Sequence, residues 1–225
     1  MKVVYEGKTN NLVEREGKLF LQFKDTVLGD DQRRVDPGGD LVVGRVPGKG
    51  VASASCATYF FEVLKKGKIP THYVRRHSEI ELEIRKAEPI RLEVVHRTLA
   101  YGSFLRRYRR HVRPLSKLDV VEFNMKDDIL RDPPIGGDAI VKLRIANAGE
   151  VARMEVLARA ISRNVSKALS KHGLKLVDMK VEFGRIGKKL VMIDSVSGDT
   201  MRVMNPQENR ILDQIELAKK VCAAR

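Results

Sequence analysis

In the run Leu176–Phe183, Asp178, Lys180 and Glu182 stand at every second position, with Val177, Met179, Val181 and Phe183 between them. In an extended strand that spacing puts all three charges on one face and the four apolar side chains on the other. A carboxylate, an amine and a carboxylate on one rigid strand make a seat for a divalent cation and a phosphorylated ligand. The competing reading is an edge strand whose charged face is simply solvated.

The 225 residues suit one large domain or two small lobes and are enough to bury a core. Hydrophobic residues at 43% and charged residues at 32% exclude a disordered or membrane composition. No apolar run approaches the roughly 20 residues that span a bilayer, and the N-terminus carries no signal-peptide pattern. The expected location is the cytoplasm, with no membrane partner. Cys56 and Cys222 are far apart and form no CxxC or Cys/His cluster, so they are expected to be ordinary thiols. A formal charge of +14 calls for an anionic partner or substrate, whether nucleic acid, nucleotide or phosphorylated metabolite. A solvated basic face, or the ion pairs of a thermophile, would give the same balance.

Periodicity predicts short N-terminal strands, Leu19–Phe23 the clearest, then loops around Pro37-Gly38-Gly39 and Pro47-Gly48-Lys49-Gly50 that flank a Leu41–Val43 strand. A helix is predicted from about Ala52 to Lys66 with Gly67 as its stop. Alternation predicts half-buried strands around Ile80–Arg85 and Ile90–Val94. A long helix is predicted from about Glu150 to Lys171, with Met154, Leu157, Ile161, Val165 and Leu169 on one stripe and Gly173 as its C-cap. It feeds the charged strand, and Leu190–Ile193 returns with Asp194 at its end. The pattern is α+β, with a β-rich N-terminal lobe over 1–86 and a mixed C-terminal lobe over 87–225.

Several motifs follow one another along nearly the whole chain: Tyr5-Glu6-Gly7-Lys8, then Pro70-Thr71-His72, then Leu92–Arg97 leading to Gly102-Ser103. Lys126-Asp127-Asp128 with Asp132-Pro133, Leu176–Gly184, and Asp194 with Ser197, Asp199 and Arg202 complete the series. In this order the set resembles the SAICAR synthetases, the phosphoribosylaminoimidazole-succinocarboxamide synthetases of purine biosynthesis. The resemblance implies two lobes with an ATP cleft between them and an ATP-dependent carbon–nitrogen ligase. Such an enzyme activates the carboxylate of carboxyaminoimidazole ribonucleotide as an acyl phosphate, which the amine of aspartate then attacks.

The same resemblance implies roles for particular residues. Lys180, Asp178 and Lys126 fall at catalytic positions, and Gly7, Lys8, Arg85, Lys86, Glu182 and Asp194 at positions around ATP. Glu182 and Asp194 are the expected Mg²⁺ ligands, hard oxygen donors of the kind that ion takes. Asp30, Arg97, Gly102, Ser103, Asp132 and Arg202 fall around the ribonucleotide, where a guanidinium fork matches phosphate oxygens. ATP, Mg²⁺ and small-molecule substrates are thus the expected partners, with self-association left open.

Some positions depart from the family pattern. Asn10 replaces a second lysine, Ser195 an acidic residue and Met204 a tryptophan, while Leu212-Asp213-Gln214-Ile215 replaces a more charged cluster. These leave open a related ligase that takes a different amine. A basic stretch, Arg106-Arg107-Tyr108-Arg109-Arg110-His111-Val112-Arg113, leaves open a non-catalytic nucleic-acid-binding relative, with Tyr101, Phe104 and Tyr108 interleaved. The aromatics read equally as core contacts of a helix with a basic outer face, and two metal carboxylates favour the enzyme.

Overall fold

The computed structural model describes residues 2–222 apart from 31, 38, 40 and 128. Gly38 and Asp128, both singled out in the sequence, lie outside the described residues. The chain opens with strands β1 (Lys2–Glu6), β2 (Asn10–Arg15), β3 (Lys18–Phe23) and β4 (Thr26–Gly29), and β5 (Leu41–Arg45) pairs with β4. Helix α1 (Lys49–Lys66) follows, then β6 (Tyr73–Arg76) and β7 (Glu81–Ile84), which close a five-stranded antiparallel sheet of order β1-β2-β3-β7-β6.

The second half runs β8 (Glu88–Leu99), α2 (Gly102–Tyr108), β9 (Lys117–Met125), α3 (Gly137–Lys142), α4 (Ala148–Ser170), β10 (Lys175–Ile186), β11 (Lys189–Ile193), β12 (Met201–Asn205), β13 (Arg210–Ile211) and α5 (Gln214–Cys222). Its sheet has the order β13-β12-β10-β8-β9, and β11 pairs with the far end of β10. The molecule is thus α+β with a β-rich N-terminal lobe and a mixed C-terminal lobe. Among the described residues no helix is long and apolar enough to cross a membrane.

The alternating run lies on β10, which is not an edge strand. It has β8 along one side and β12 and β11 along the other. Val177, Met179, Val181 and Phe183 are buried on its apolar face, beneath α4. Asp178 and Glu182 are buried as well, so the solvated-face reading fails: each is paired with cations, Asp178 with Arg97 and Arg202 and Glu182 with Lys126.

Helix ends differ in detail from expectation. Helix α1 begins at Lys49, after Gly48 in a left-handed conformation with φ 82°. At its other end Gly67 is not left-handed; Lys68, at φ 56°, makes that turn. Glycine at 67 instead gives room to α4, since a Cβ there would stand 2.4 Å from Asn164 Oδ1 and the Asn164 side chain would have to shift. Helix α4 starts in a capping box, in which the Asn147 side chain accepts from the Glu150 amide and Glu150 accepts from the Asn147 amide, each at 3.0 Å. Its C-cap is Lys171 rather than the expected Gly173, which makes the left-handed turn two residues later, at φ 70°.

The lobes share one apolar core. Phe60, Phe61 and Leu64 of α1 meet the same cluster as Met154, Ile161 and Leu169 of α4, Met179 and Phe183 of β10, and Leu217 and Val221 of α5. Helix α1 thus joins the lobes, packing on β3, β6 and β7 of the N-terminal sheet and on α5 and α4 of the other lobe. Cys56, buried in α1, and Cys222, on α5, are both free thiols.

Candidate active site

Strand pairing builds the site. Asp178 on β10 stands opposite Arg97 on β8 and opposite Arg202 on β12, which makes a row of three charges across the sheet. Asp178 Oδ2 accepts from Arg97 Nη1 at 3.0 Å and from Arg202 Nη1 at 2.8 Å. Arg97 also donates through Nε to Glu122 at 2.8 Å and through Nη2 to Ser103 Oγ at 3.1 Å. Arg202 gives Nε and Nη2 to the two carboxylate oxygens of Asp36, at 2.8 and 3.0 Å. All these arginine, Asp178 and Ser103 positions were expected; Asp36 and Glu122 were not.

Two residues along the same face, Lys180 donates to Glu93 Oε1 at 2.7 Å. Burial holds the Glu93 carboxyl above its usual range, against the pull of Lys180.

At the far end Lys126, just past β9, donates to Glu182. Glu182 pairs in register with Ile193, the last residue of β11, and Asp194 follows in a left-handed conformation with φ 62° that ends the strand's alternation. Asp194 Oδ1 accepts from Asn10 Nδ2 at 3.1 Å, and its backbone carbonyl accepts from His72 Nε2 at 2.9 Å. A carbonyl only accepts, so His72 carries its proton on Nε2. Desolvation first, and then the charge of Asp194, push the Glu182 carboxyl up to about 7. The carboxylates around Lys126 in turn hold its ammonium charged, above the ordinary range, against the cost of burial.

Two carboxylates that raise each other's energy, with donors already on them, are a set that a divalent cation would relieve. Among the described residues no three His, Cys, Asp or Glu side chains converge on a metal-sized centre. The pair alone suits Mg²⁺, which commonly takes one or two carboxylates and fills its remaining positions with phosphate oxygens and water.

A cavity of about 430 Å³ opens over the Asp178–Lys180 part of this face. Of the expected residues it is lined by Lys8, Asp30, Arg97, Ser103, Asp132, Asp178, Lys180 and Arg202, joined by Asp36, Glu93 and Asn124. A second cavity, of about 760 Å³, shares Asp30, Asp36, Pro37 and Arg106 with it and extends past Tyr101 to the start of α5. Glu182, Asp194 and Lys126 line neither cavity.

Other expected residues have local structural partners. Gly7 donates its amide to the Asn10 carbonyl at 3.0 Å, and a Cβ on Gly7 would stand 2.5 Å from that oxygen, so the turn before Lys8 needs glycine for space. Asp132 accepts the Asp127 amide at 2.7 Å and closes the loop after Lys126. Asp30 is tied to Arg34, which holds its carboxyl below the usual range. Gly102, with φ 53°, forms the floor under Arg202: a Cβ there would meet the guanidinium at 3.1–3.2 Å. Arg85 donates to the Thr71 carbonyl, and neither it nor Lys86 lines the two cavities.

Ser195 and Met204 are both buried and line neither cavity. In the basic stretch Arg106 and Arg107 line the first cavity, Arg107 pairing with Glu122, while Phe104 is buried against Tyr108 with ring centroids 4.7 Å apart.

The sequence and the fold have known counterparts. The family model for SAICAR synthetase matches residues 3–222. A phosphoribosylaminoimidazole-succinocarboxamide synthase of Clostridium tetani is 38% identical over 98% of this chain and 99% of its own. A SAICAR synthetase solved in complex with ADP superposes with a TM-score of 0.87 at 26% identity, covering 100% of this chain and 99% of that one. The Ehrlichia chaffeensis synthase shares the fold with a TM-score of 0.89 at 24% identity over the whole of both chains. The chain therefore belongs to the SAICAR synthetase family.

Proposed function

We propose that the protein joins carboxyaminoimidazole ribonucleotide to L-aspartate at the expense of ATP, releasing SAICAR, ADP and phosphate in purine biosynthesis. The observation that carries this reading is the single face of β10. It bears a guanidinium cluster fit for a phosphate at one end, a carboxylate pair fit for a metal–nucleotide at the other, and Lys180 between them. In the proposed division, residues 1–86 close over ATP and 87–225 hold the ribonucleotide and the metal, in the cytoplasm.

In the first step an oxygen of the substrate carboxylate forms a bond to the γ-phosphorus of ATP as the bond to ADP breaks. In the second the amine of aspartate attacks the acyl carbon, phosphate leaves and the amine loses a proton. Arg97, Arg202 and Ser103 anchor the ribonucleotide phosphate and so fix the distance of its carboxylate from the nucleotide. Lys180, steered by Glu93, and Lys126, steered by Glu182, place positive charge where the transferring oxygens gather negative charge, which is the main demand of phosphoryl transfer. Lys8 approaches the phosphates from the N-terminal lobe, beside the Gly7 turn. Glu182 and Asp194 would hold Mg²⁺, which when bound would supply positive charge to offset that of the phosphates. Asn10, through its hydrogen bond to Oδ1, orients Asp194.

Ser195 and Met204 lie buried away from both cavities, so these departures give no support to a different amine. An ADP-release assay with the ribonucleotide and a panel of amino acids tests the proposal. The expected result is turnover that requires the ribonucleotide and is selective for aspartate. Selective turnover with another amine, or ADP release that does not need the ribonucleotide, would refute it.

A further inference from the structure

Asp36 lies in the loop between β4 and β5, a segment fixed by hydrogen bonds from the Asp36 amide to the Leu28 carbonyl and from the Gly39 amide to the Asp36 carbonyl, both 2.9 Å. Its two oxygens take Nε and Nη2 of Arg202, the side-on fork that an arginine offers to a phosphate. The other sides of that guanidinium are closed. Asp178 holds Nη1, Gly102 packs beneath, and the Tyr101 ring lies 5.6 Å from its centre.

The charges lead to the same conclusion. Arg97, Arg107 and Arg202 face Asp36, Asp178 and Glu122, so the cluster is neutral while Asp36 is docked and carries one net positive charge once it leaves. A phosphate can take the Arg202 fork only by displacing the Asp36 carboxylate.

We propose that Asp36 is a specificity-determining residue, a resident carboxylate that holds the Arg202 fork until a phosphate dianion displaces it. It thereby keeps carboxylate-bearing molecules, the amino-acid substrate among them, out of the phosphate subsite. The proposal rests on Arg202 being the phosphate anchor. A tethered carboxylate competes at an effective concentration on the order of millimolar, so a free monocarboxylate of the same shape gains little against it. A phosphate brings a second negative charge and further oxygens that reach Arg97 and Ser103, and so it prevails.

The test is titration calorimetry of carboxyaminoimidazole ribonucleotide, with and without acetate, on wild type, Asp36→Asn and Asp36→Ser, with melting curves to confirm folding. Removing the tethered competitor should tighten the ribonucleotide by about three- to tenfold in either variant. Acetate should leave the wild type unchanged and weaken binding to both variants by about threefold or more. Unchanged or weaker ribonucleotide binding in the variants, or an equal effect of acetate on all three proteins, would overturn the proposal. Arg202→Gln separates the two layers. If it leaves ribonucleotide affinity intact, the phosphate is not held at Arg202 and the reading of the site fails, taking the role of Asp36 with it; if it weakens binding while the Asp36 variants do not tighten it, only the role of Asp36 fails.

Discussion

The two ends of the charged face of β10 differ in how their charges are balanced. Around Asp178, arginines and carboxylates alternate and every guanidinium nitrogen of Arg97 and Arg202 has an acceptor. Around Glu182, a buried carboxylate faces the charge of the half-buried Asp194, and Lys126, with a smaller contribution from Lys180, compensates. The first arrangement is fully paired in the protein alone, and under the proposed function it would anchor by exchange of partners. The second is under electrostatic tension and gains when positive charge enters. One strand therefore carries a balanced and a tense cluster on one face, with Lys180 at their junction, and in the proposed function these are the phosphate anchor and the metal–nucleotide receptor.

The sharpest way to break this contrast is at the tense end. Glu182→Gln and Asp194→Asn should each lower ADP release by about a thousandfold, the scale of losing a key electrostatic contact in charge transfer. Because each change removes one of two repelling carboxylates, the melting temperature should hold or rise. ADP release in excess Mg²⁺, followed beside a melting curve, checks both points; turnover near wild type in either variant would end the metal assignment.

At the balanced end the signature is reversed. Arg97→Ala and Arg202→Ala should weaken the ribonucleotide by about 2 to 4 kcal/mol and leave ATP affinity nearly unchanged. Both should also lower the melting temperature, since Asp178 would stay buried with half its compensation lost. Calorimetry with each ligand decides the matter, and equal losses for both would mean that the two ends had been confused.

His72 offers a finer probe of the support beneath Asp194. Burial depresses its pKa to about 4 from 6.5, so the unfolded chain binds a proton more readily than the folded one. Its contribution is therefore fully present above pH 6.5 and is lost as pH falls through 4, by about 3 kcal/mol in total. Glu182, raised in the fold, works in the opposite direction, its destabilising effect growing as pH rises from 4.5 through 7. The informative quantity is thus wild type minus His72→Gln in denaturant titrations from pH 4 to 7. A difference that stays flat across that range would show that the buried imidazole is not the cause.

The smallest effect is expected on the basic rim. Arg109 and Arg110 are exposed and line neither cavity, so changing both to Gln should alter turnover by about twofold at most. Any RNA binding they give should fade steeply as salt rises. Submicromolar, sequence-dependent RNA binding at physiological salt, abolished by these two changes, would extend the chemistry beyond the face of β10.

The alternation at 177–183 and the stripe at 154–169 identified the central strand and the helix that covers it, because a period of two and a period near 3.6 are properties of sequence alone. The strands β9 and β12 escaped notice. Lys117–Met125 and Met201–Asn205 mix polar and apolar residues without a clean period, and they become strands by pairing with β8 and β10. At the site, Arg97, Asp178 and Arg202 were legible as residue types in an ordered series, but not as one row across three strands. Glu93, Glu122 and Asp36 were missed for the same reason. A carboxylate acquires its arginine or lysine through register or through a loop's return, and neither leaves a mark in local spacing.

The packing of α1 on α5 also bears on how the chain acquires its structure. Helix α1 lies in the chain between β5 and β6 of the N-terminal lobe, yet its buried side chains find their last neighbours far downstream, on α5. That closure joins distant parts of the chain, the kind of contact that slows folding because a long loop must be closed before any burial rewards it. The two lobes should consequently melt in one transition, and a cut between them should leave α1 as an exposed apolar helix prone to aggregate.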